Sequence, residues 1–468
     1  MAQSVKRKLA FASADIFGGG SFNIVNYLYP GFLAITVGIS PYWIGVVMLV
    51  ARIWDAITDP IMGHISDRTT SKMGKRRIYM VIAAPFVFVS MYFLFFPYAF
   101  SETALRVIAV LLSYLVFTTV QTSVMIPYYS LSSEMTSDYQ ERASFNSYRL
   151  GFSIFSSILC VAVPGIVVGL FDDKTTGYQV MSLSFGLLFG LSVLLTGLFA
   201  REEIQTPKVE SKLSFKDMMK PLKLVPFRQY LGMFLVLQMS MAIMSGLFFF
   251  YIDFFITKTS TLDGEATMVG LIAAALMFSM QIVALPIYLK MIEKRSKTYA
   301  YRFGAYLWII SAFFILIIPT DVTPVAVYAL GAIMGFGISG PGLVPHTMYG
   351  DVVDAGQLMF HDRLDGQMSG FTNFMNKVAQ AIGLAIVMFL IGLAGFQEQQ
   401  PGGPTINSQP DSATLMIRLI MTIAPLIFMG IGIYISHRYK IDQSKQKLLT
   451  QAIHDPSIDK EALLNSLS

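Results

Sequence analysis

Twelve separate stretches of this chain are long and apolar enough to cross a lipid bilayer, and no other feature limits its fold so strongly. A spanning helix needs about 20 mostly apolar residues. Such stretches run over 11–37, 42–66, 78–99, 104–132, 145–171, 177–200, 229–257, 266–289, 301–320, 323–349, 367–395 and 412–436. Polar residues interrupt the first, second, fourth and eleventh. With 54% of its 468 residues hydrophobic and 13% charged, the chain has too little polar surface for a soluble domain of this size. The expected fold is all-α and membrane-integral, with twelve transmembrane helices in two six-helix bundles.

Lysine and arginine favour the cytoplasmic side of membrane proteins. Placing both termini there gathers most of the 34 basic residues on that side, and leaves Arg106, Lys174, Lys258 and Arg418 on the other. The expected location is a bacterial inner (plasma) membrane, crossed many times. The net charge of +5 follows from this topology and implies no nucleic-acid partner. The basic start carries no cleavage pattern, so the first helix is expected to be retained. The one cysteine, Cys160, excludes a disulfide within the chain.

The longest connection, 201–228, divides an amino-terminal bundle (1–200) from a carboxy-terminal one (229–436), with a tail at 437–468. Part of it, LSFKDMMKPLKLVPF, mixes lysines with apolar residues, as either a membrane-surface segment or a solvated linker does. A faint repeat supports the division. PYYSLSSEMTSDYQERASFNSYRLG from Pro127 and PHTMYGDVVDAGQLMFHDRLDGQMSG from Pro345 each run from a proline through acids to an arginine, Arg142 or Arg363.

Charges inside the spans are the chemical signal, because a charge near the bilayer centre costs roughly 2.5 to 3.5 kcal/mol on insertion scales and is kept for a partner or a cavity. Asp55 lies roughly 18 Å and Asp59 roughly 12 Å inside span two, counted from Asp67 at about 1.5 Å per residue. Thr122 on span four and Lys377 on span eleven reach a similar level. Asp55 and Asp59 are four residues apart, so they share a helix face. Two carboxylates this close in a poor dielectric need a cation, a proton or Lys377 between them. The pair reads as a site for a coupling cation, with Thr122 as a further oxygen donor and Lys377 as the charge that replaces the cation. Lys377 and Arg52 are the candidate coupling charges, and the competing reading is a helix lock through the same two residues. Arg149, roughly 10 Å inside span five, has a planar fork suited to sugar hydroxyls or a carboxylate, or to a salt bridge closing the bundle. Asp15 faces the same cavity or makes a helix-end contact. Tyr27, Tyr29, Trp54, Tyr128, Tyr129 and Trp308 are aromatics of the kind that stack on a sugar face, and Tyr129 is favoured by its place one turn from the polar end of span four. Asn26 joins the candidate substrate contacts.

GHISDRTTSKMGKRR, with Gly63, Asp67, Arg68, Gly74, Lys75, Arg76 and Arg77, resembles the loop two-three signature of the major facilitator superfamily. ARIWDAITDPIMG, DVVDAGQLMFHDRLDGQ and NKVAQAIG sharpen this to a close resemblance to the glycoside-pentoside-hexuronide cation symporters, the melibiose permease-like family. The resemblance implies that Asp55 and Asp59 bind sodium, lithium or a proton, assisted by Thr122 and Thr58. It implies roles for Lys377 and Arg149 in coupling and sugar binding, and a gating charge lock around Gly63, Asp67, Arg68, Arg77, Arg142 and Arg363. The chain departs from the galactoside-carrying pattern at Gly18-Gly19, where a lysine-aspartate pair is expected, at Met125 in place of an acid, and at Tyr129 in place of a tryptophan. Losing acids while keeping Arg149 and Lys377 suits a uronide or another anionic glycoside.

The expected function is therefore uptake of a sugar or glycoside with Na+ or H+ by alternating access, by a monomer in contact with lipid, with no cofactor and no metal beyond the transported cation. Two alternatives remain: a lysolipid-type cation symporter, and a sugar sensor on the same scaffold. An enzyme is not expected, since no nucleophile-base pair, metal-ligand spacing or phosphate loop appears. His64, His346, His361, His437 and His454 are scattered.

Overall fold

The computed structural model describes residues 5–135, 139–200, 202, 219–252, 265–317, 323–361, 364–398, 409–455 and 459–467. Its elements among these are helical. They are α1 (Val5–Ala12), α2 (Ala14–Tyr27), α3 (Tyr29–Gly31), a π-helical segment (Phe32–Val37), α4 (Pro41–Arg68), α5 (Arg77–Leu94), α6 (Thr103–Met135), α7 (Tyr139–Gly169) and α8 (Lys174–Phe199). After a short 3-10 turn (Lys220–Lys223) follow α9 (Val225–Tyr251), α10 (Glu265–Lys294), α11 (Lys297–Ile317), α12 (Pro324–Phe360), α13 (Asp365–Leu393) and α14 (Asp411–Arg438), then two tail helices, α15 (Gln443–His454) and α16 (Lys460–Asn465).

Ten of these helices are long and apolar enough to cross a membrane. The two remaining expected spans differ in instructive ways. Span two is one 28-residue helix, α4, whose apolar character is diluted by the charges that make it interesting. Span one is broken into α1, α2, α3 and the π-helical segment, so no single piece has the length. The π segment ends at Gly38, whose φ of 72° lies in the left-handed region, where a side chain would be strained. Arg106 on α6 donates from Nη1 to the carbonyls of Val37 (3.1 Å) and Gly38 (2.8 Å), satisfying helix-end acceptors that lipid would leave bare.

The chain packs as two compact units. One comprises residues 1–210, 245–271 and 385–414, the other 211–244, 272–384 and 415–468. In the first, α5 and α8 approach closely because Gly186, Gly190 and Gly197 face the backbone or Cβ atoms of Phe88, Ala84 and Met80. Small residues in such a stripe replace the hydrophobic drive that lipid does not supply. Around them, Phe11, Phe17, Phe32, Phe95 and Phe117 are fully or almost fully buried. Asp173 opens α8 by accepting the Thr176 hydroxyl at 2.7 Å and the N–H groups of Thr176 and Thr175, both at 3.1 Å; these bonds, the hydroxyl's first, hold its carboxyl below the usual carboxylate range.

In the second unit α11 crosses α12 on the same principle. A Cβ at Gly304 would stand 2.6 Å from the carbonyl of Gly337, and one at Gly337 would stand 2.7 Å from the backbone nitrogen of Trp308. Trp308 is fully buried beside this crossing. Lys297 at the start of α11 donates to Asp351 of α12 at 2.6 Å. The tail returns to this unit, where Leu449, Ala452 and Leu467 are buried.

Candidate functional site

The charged interior of the first unit is built on α4. Asp55 is 3% exposed, and Asp59, one turn on, is half-buried. Thr122 of α6 donates its hydroxyl to Asp59 Oδ1 at 2.9 Å, so the i, i+4 acids and the predicted threonine do meet. Arg52 approaches Asp55 Oδ2 with Nη1 at 4.0 Å and donates from Nη2 to Asn26 Oδ1 on α2 at 3.0 Å. Its guanidinium also lies 5.4 Å from the Phe22 ring centroid. Thr58 turns its hydroxyl back to the Asp55 carbonyl at 3.4 Å. Three helices thus bring two carboxylates, a hydroxyl, an amide and a guanidinium together. Oxygen donors of this kind suit a hard cation or a shared proton.

A second polar group stands on α2, α6 and α7. Asp15 is 6% exposed, and its Oδ2 lies 3.9 Å from Arg149 Nε. The Arg149 guanidinium lies 5.5 Å from the Tyr129 ring centroid. Met125, 5% exposed, packs where a side chain on Gly18 would stand. Gly19 brings α2 close to α7, since a Cβ there would lie 2.8 Å from Ser153 Oγ. The aromatic candidates separate by burial. Tyr29, Tyr128 and Trp308 are fully buried and Tyr27 is 5% exposed, so packing claims their faces, whereas Tyr129 is 51% exposed and keeps a ring available beside Arg149. Trp54 spends its indole N–H on Thr119 Oγ1 at 2.9 Å.

At the far end of α4 the signature residues form a dense network. The exposed Asp67 accepts from Arg76, which also donates to Ser66 Oγ. Arg77 donates to the carbonyls of Gly197 at 2.9 Å, Leu198 at 2.6 Å and Met73 at 3.1 Å. Arg68 is exposed, and a Cβ added at Gly63 would stand 3.8 Å from the Ile126 side chain. Lys377 is half-buried on α13, in the second unit. The side chain of Arg142 and all of Arg363 lie outside the described residues.

Several participants escape a sequence reading. Lys8 binds Glu141 at 3.0 Å and Ser144 at 2.8 Å, tying α1 to α7. Glu202 accepts N–H groups from the loop two-three segment. Neither partner is in sequence register with the other, so only the fold pairs them. Lys297 and Asp351 sit in segments whose charge is visible in sequence, but their pairing is not. Among the described residues no three His, Cys, Asp or Glu side chains converge as a metal site.

Known proteins bear on this arrangement. A sodium-dependent lysophosphatidylcholine symporter of Xenopus tropicalis is 23% identical, over 96% of this chain and 91% of its own length. An uncharacterized symporter of Synechocystis sp. is 26% identical over 97% of each chain. Among solved structures, a bacterial homologue of the human lysosomal transporter Spinster superposes with a TM-score of 0.66 at 12% identity, covering 93% of this chain and 98% of that one. The nucleoside transporter NupG does so with 0.64 at 11% identity, covering 92% and 97%. These structural likenesses speak for the fold. The family model for the MFS/sugar transport protein matches residues 10–443, and the chain, a multi-pass transporter rather than an enzyme, belongs to that family within the major facilitator superfamily.

Proposed function

We propose that this chain is a cation-coupled symporter of the glycoside-pentoside-hexuronide type, importing a sugar or glycoside with Na+ or H+ across a bacterial inner membrane, its termini cytoplasmic. The observation that carries the reading is the meeting of Asp55, Asp59 and Thr122. Two acids one helical turn apart, with a hydroxyl already on one of them, share a small cation readily and repel each other without one. The sodium dependence in the names of the lysophosphatidylcholine symporters supports Na+ as that cation. Arg52 and Asn26 hold the acid-bearing face in register, and Lys377 keeps the coupling role that the family resemblance implies.

Arg149, Asp15 and Tyr129 are the substrate contacts in this reading. A guanidinium, a carboxylate and an available aromatic ring offer donors, acceptors and a stacking face to a sugar. The cation moves down its electrochemical gradient, each charge crossing the membrane potential contributing about 2.3 kcal/mol per 100 mV. Alternating access converts that into uphill solute entry. A monomer is sufficient for this mechanism.

A second reading rests on a specific feature. The α7 face carrying Tyr148, Gly151, Phe152 and Phe155 joins Leu9 around an apolar surface hollow of about 560 Å³. Such a surface suits an acyl chain, and the lysophosphatidylcholine symporters among the relatives favour an amphiphile. Uptake into proteoliposomes decides between the two, using radiolabelled melibiose, a methyl glucuronide and lysophosphatidylcholine in turn, with and without a sodium gradient. Sodium-stimulated accumulation of a glycoside supports the first reading. Accumulation of the lysolipid alone replaces it with the second, and indifference of every solute to sodium and to pH ends the coupling proposal.

A further inference from the structure

Glu202 follows the end of α8 and lies across the start of α5. Its carboxylate accepts three consecutive backbone N–H groups, from Lys75 at 2.9 Å (Oε2) and from Arg76 and Arg77 at 2.8 and 3.0 Å (Oε1). Consecutive N–H groups at a helix start form an anion-binding concavity with a positive dipole behind it. The loop takes this shape at Gly74, whose φ is 108°. A Cβ on Gly74 would stand 2.6 to 2.8 Å from the Glu202 carboxylate. Gly74 is therefore required both for the backbone angle and for the space.

The contact is reciprocal. Arg77, the first residue of α5, donates to the carbonyls of Gly197 and Leu198 in the last turn of α8. Each helix end is thus met by a side chain of opposite charge from the other. The clasp also reaches α4, because Arg76, whose backbone holds Glu202, places its guanidinium on Ser66 and Asp67. Those residues end the helix that carries Asp55 and Asp59.

We propose that Glu202 is a positioning residue for transport: by filling the N–H concavity at 75–77 it fixes the end of α4 to α5 and α8, so that the helix bearing the acid pair moves as one body with its neighbours. The inference rests on the reading of Asp55 and Asp59 as a cation site only for its functional consequence. The clasp itself is defined without it.

Hydrogen exchange on the full-length protein in lipid nanodiscs, with and without NaCl, tests this. In E202A the amides of 75–77 are expected to exchange about 10 to 100 times faster, as groups that lose a charged acceptor do. The acceleration is expected to extend to 63–68. NaCl should still raise the thermal midpoint as in the wild type, while its protection of 63–68 is lost. G74A, with Glu202 intact, should reproduce the pattern, and the double variant should add nothing to either single one. If E202A does not fold, E202Q keeps the length and one accepting oxygen, and should show the same changes at about threefold. Unchanged exchange at 63–68 in these variants overturns the proposal, as does an equal, uniform acceleration throughout the chain. If NaCl leaves the wild type unaffected, the cation reading fails, and exchange at 63–68 still decides the role of Glu202.

Discussion

The two ends of α4 hold their charges differently. In the interior, Arg52 reaches Asp55 at 4.0 Å and Thr122 donates to Asp59 at 2.9 Å, around two acids on one helix face. Eight residues beyond Asp59, Asp67, Ser66, Arg76, Arg77 and Glu202 are linked by short contacts to side chains, N–H groups and carbonyls. The interior sets two like charges one helical turn apart, an arrangement that a bound cation or a proton relieves. The other is built to persist, with carboxylate and guanidinium groups each meeting several partners of fixed geometry, which makes such bonds strong. Charge along one helix thus serves two purposes: like charges held together in the interior, and unlike charges paired at the end.

The largest expected effect comes from neutralising the interior. Asp55→Asn should weaken Na+ binding by about 100-fold, matching the roughly 3 kcal/mol of a strong charged contact, and should abolish concentrative uptake while leaving the fold intact. Titrating NaCl against the thermal midpoint measures it, and a retained sodium response would erase the distinction drawn between the two ends. Next in size is Thr122→Ala, which removes one oxygen and the bond to Asp59. About a tenfold loss of sodium affinity is expected, in line with a charge-assisted hydrogen bond, and isothermal titration reads it.

At the persistent end the sign of the outcome reverses. Arg77→Ala strips donors from the carbonyls of α8 and should lower stability by about 1 to 2 kcal/mol, with sodium affinity unchanged within twofold. A thermal melt with a parallel NaCl titration separates these quantities, and a tenfold affinity loss would show that the two ends act as one site. The smallest effect is expected at Trp54→Phe. That indole is 40% exposed and bonded only through its N–H to Thr119 among the contacts described, so melting should change by no more than about 0.5 kcal/mol.

Much of this organisation is legible in the chain. Hydropathy places the spans, since lipid forces each crossing backbone to satisfy its own hydrogen bonds as helix. The i, i+4 spacing of Asp55 and Asp59 predicts their shared face, and helix rise predicts the level at which Thr122 meets them. The aromatics were harder to read. Tyr29, Tyr128 and Trp308 are no different in type from Tyr129, yet only packing assigns them to the core. The break-up of span one is similarly obscure, because a π-helical segment closed by Gly38 and capped by Arg106 depends on a donor on another helix.

What the sequence determines by itself is whatever follows from one helix and one bilayer: the number of apolar stretches, their polarity of charge, and the faces that residues three or four apart must share. Tertiary structure alone decided which charges meet across helices, such as Arg149 with Asp15, Lys8 with Glu141, and Glu202 with the amides of 75–77. The reason is physical. Periodicity along a helix is fixed by its hydrogen bonds, whereas the angle and register between helices depend on where glycines permit approach and where side chains fill the space, and those choices are made collectively.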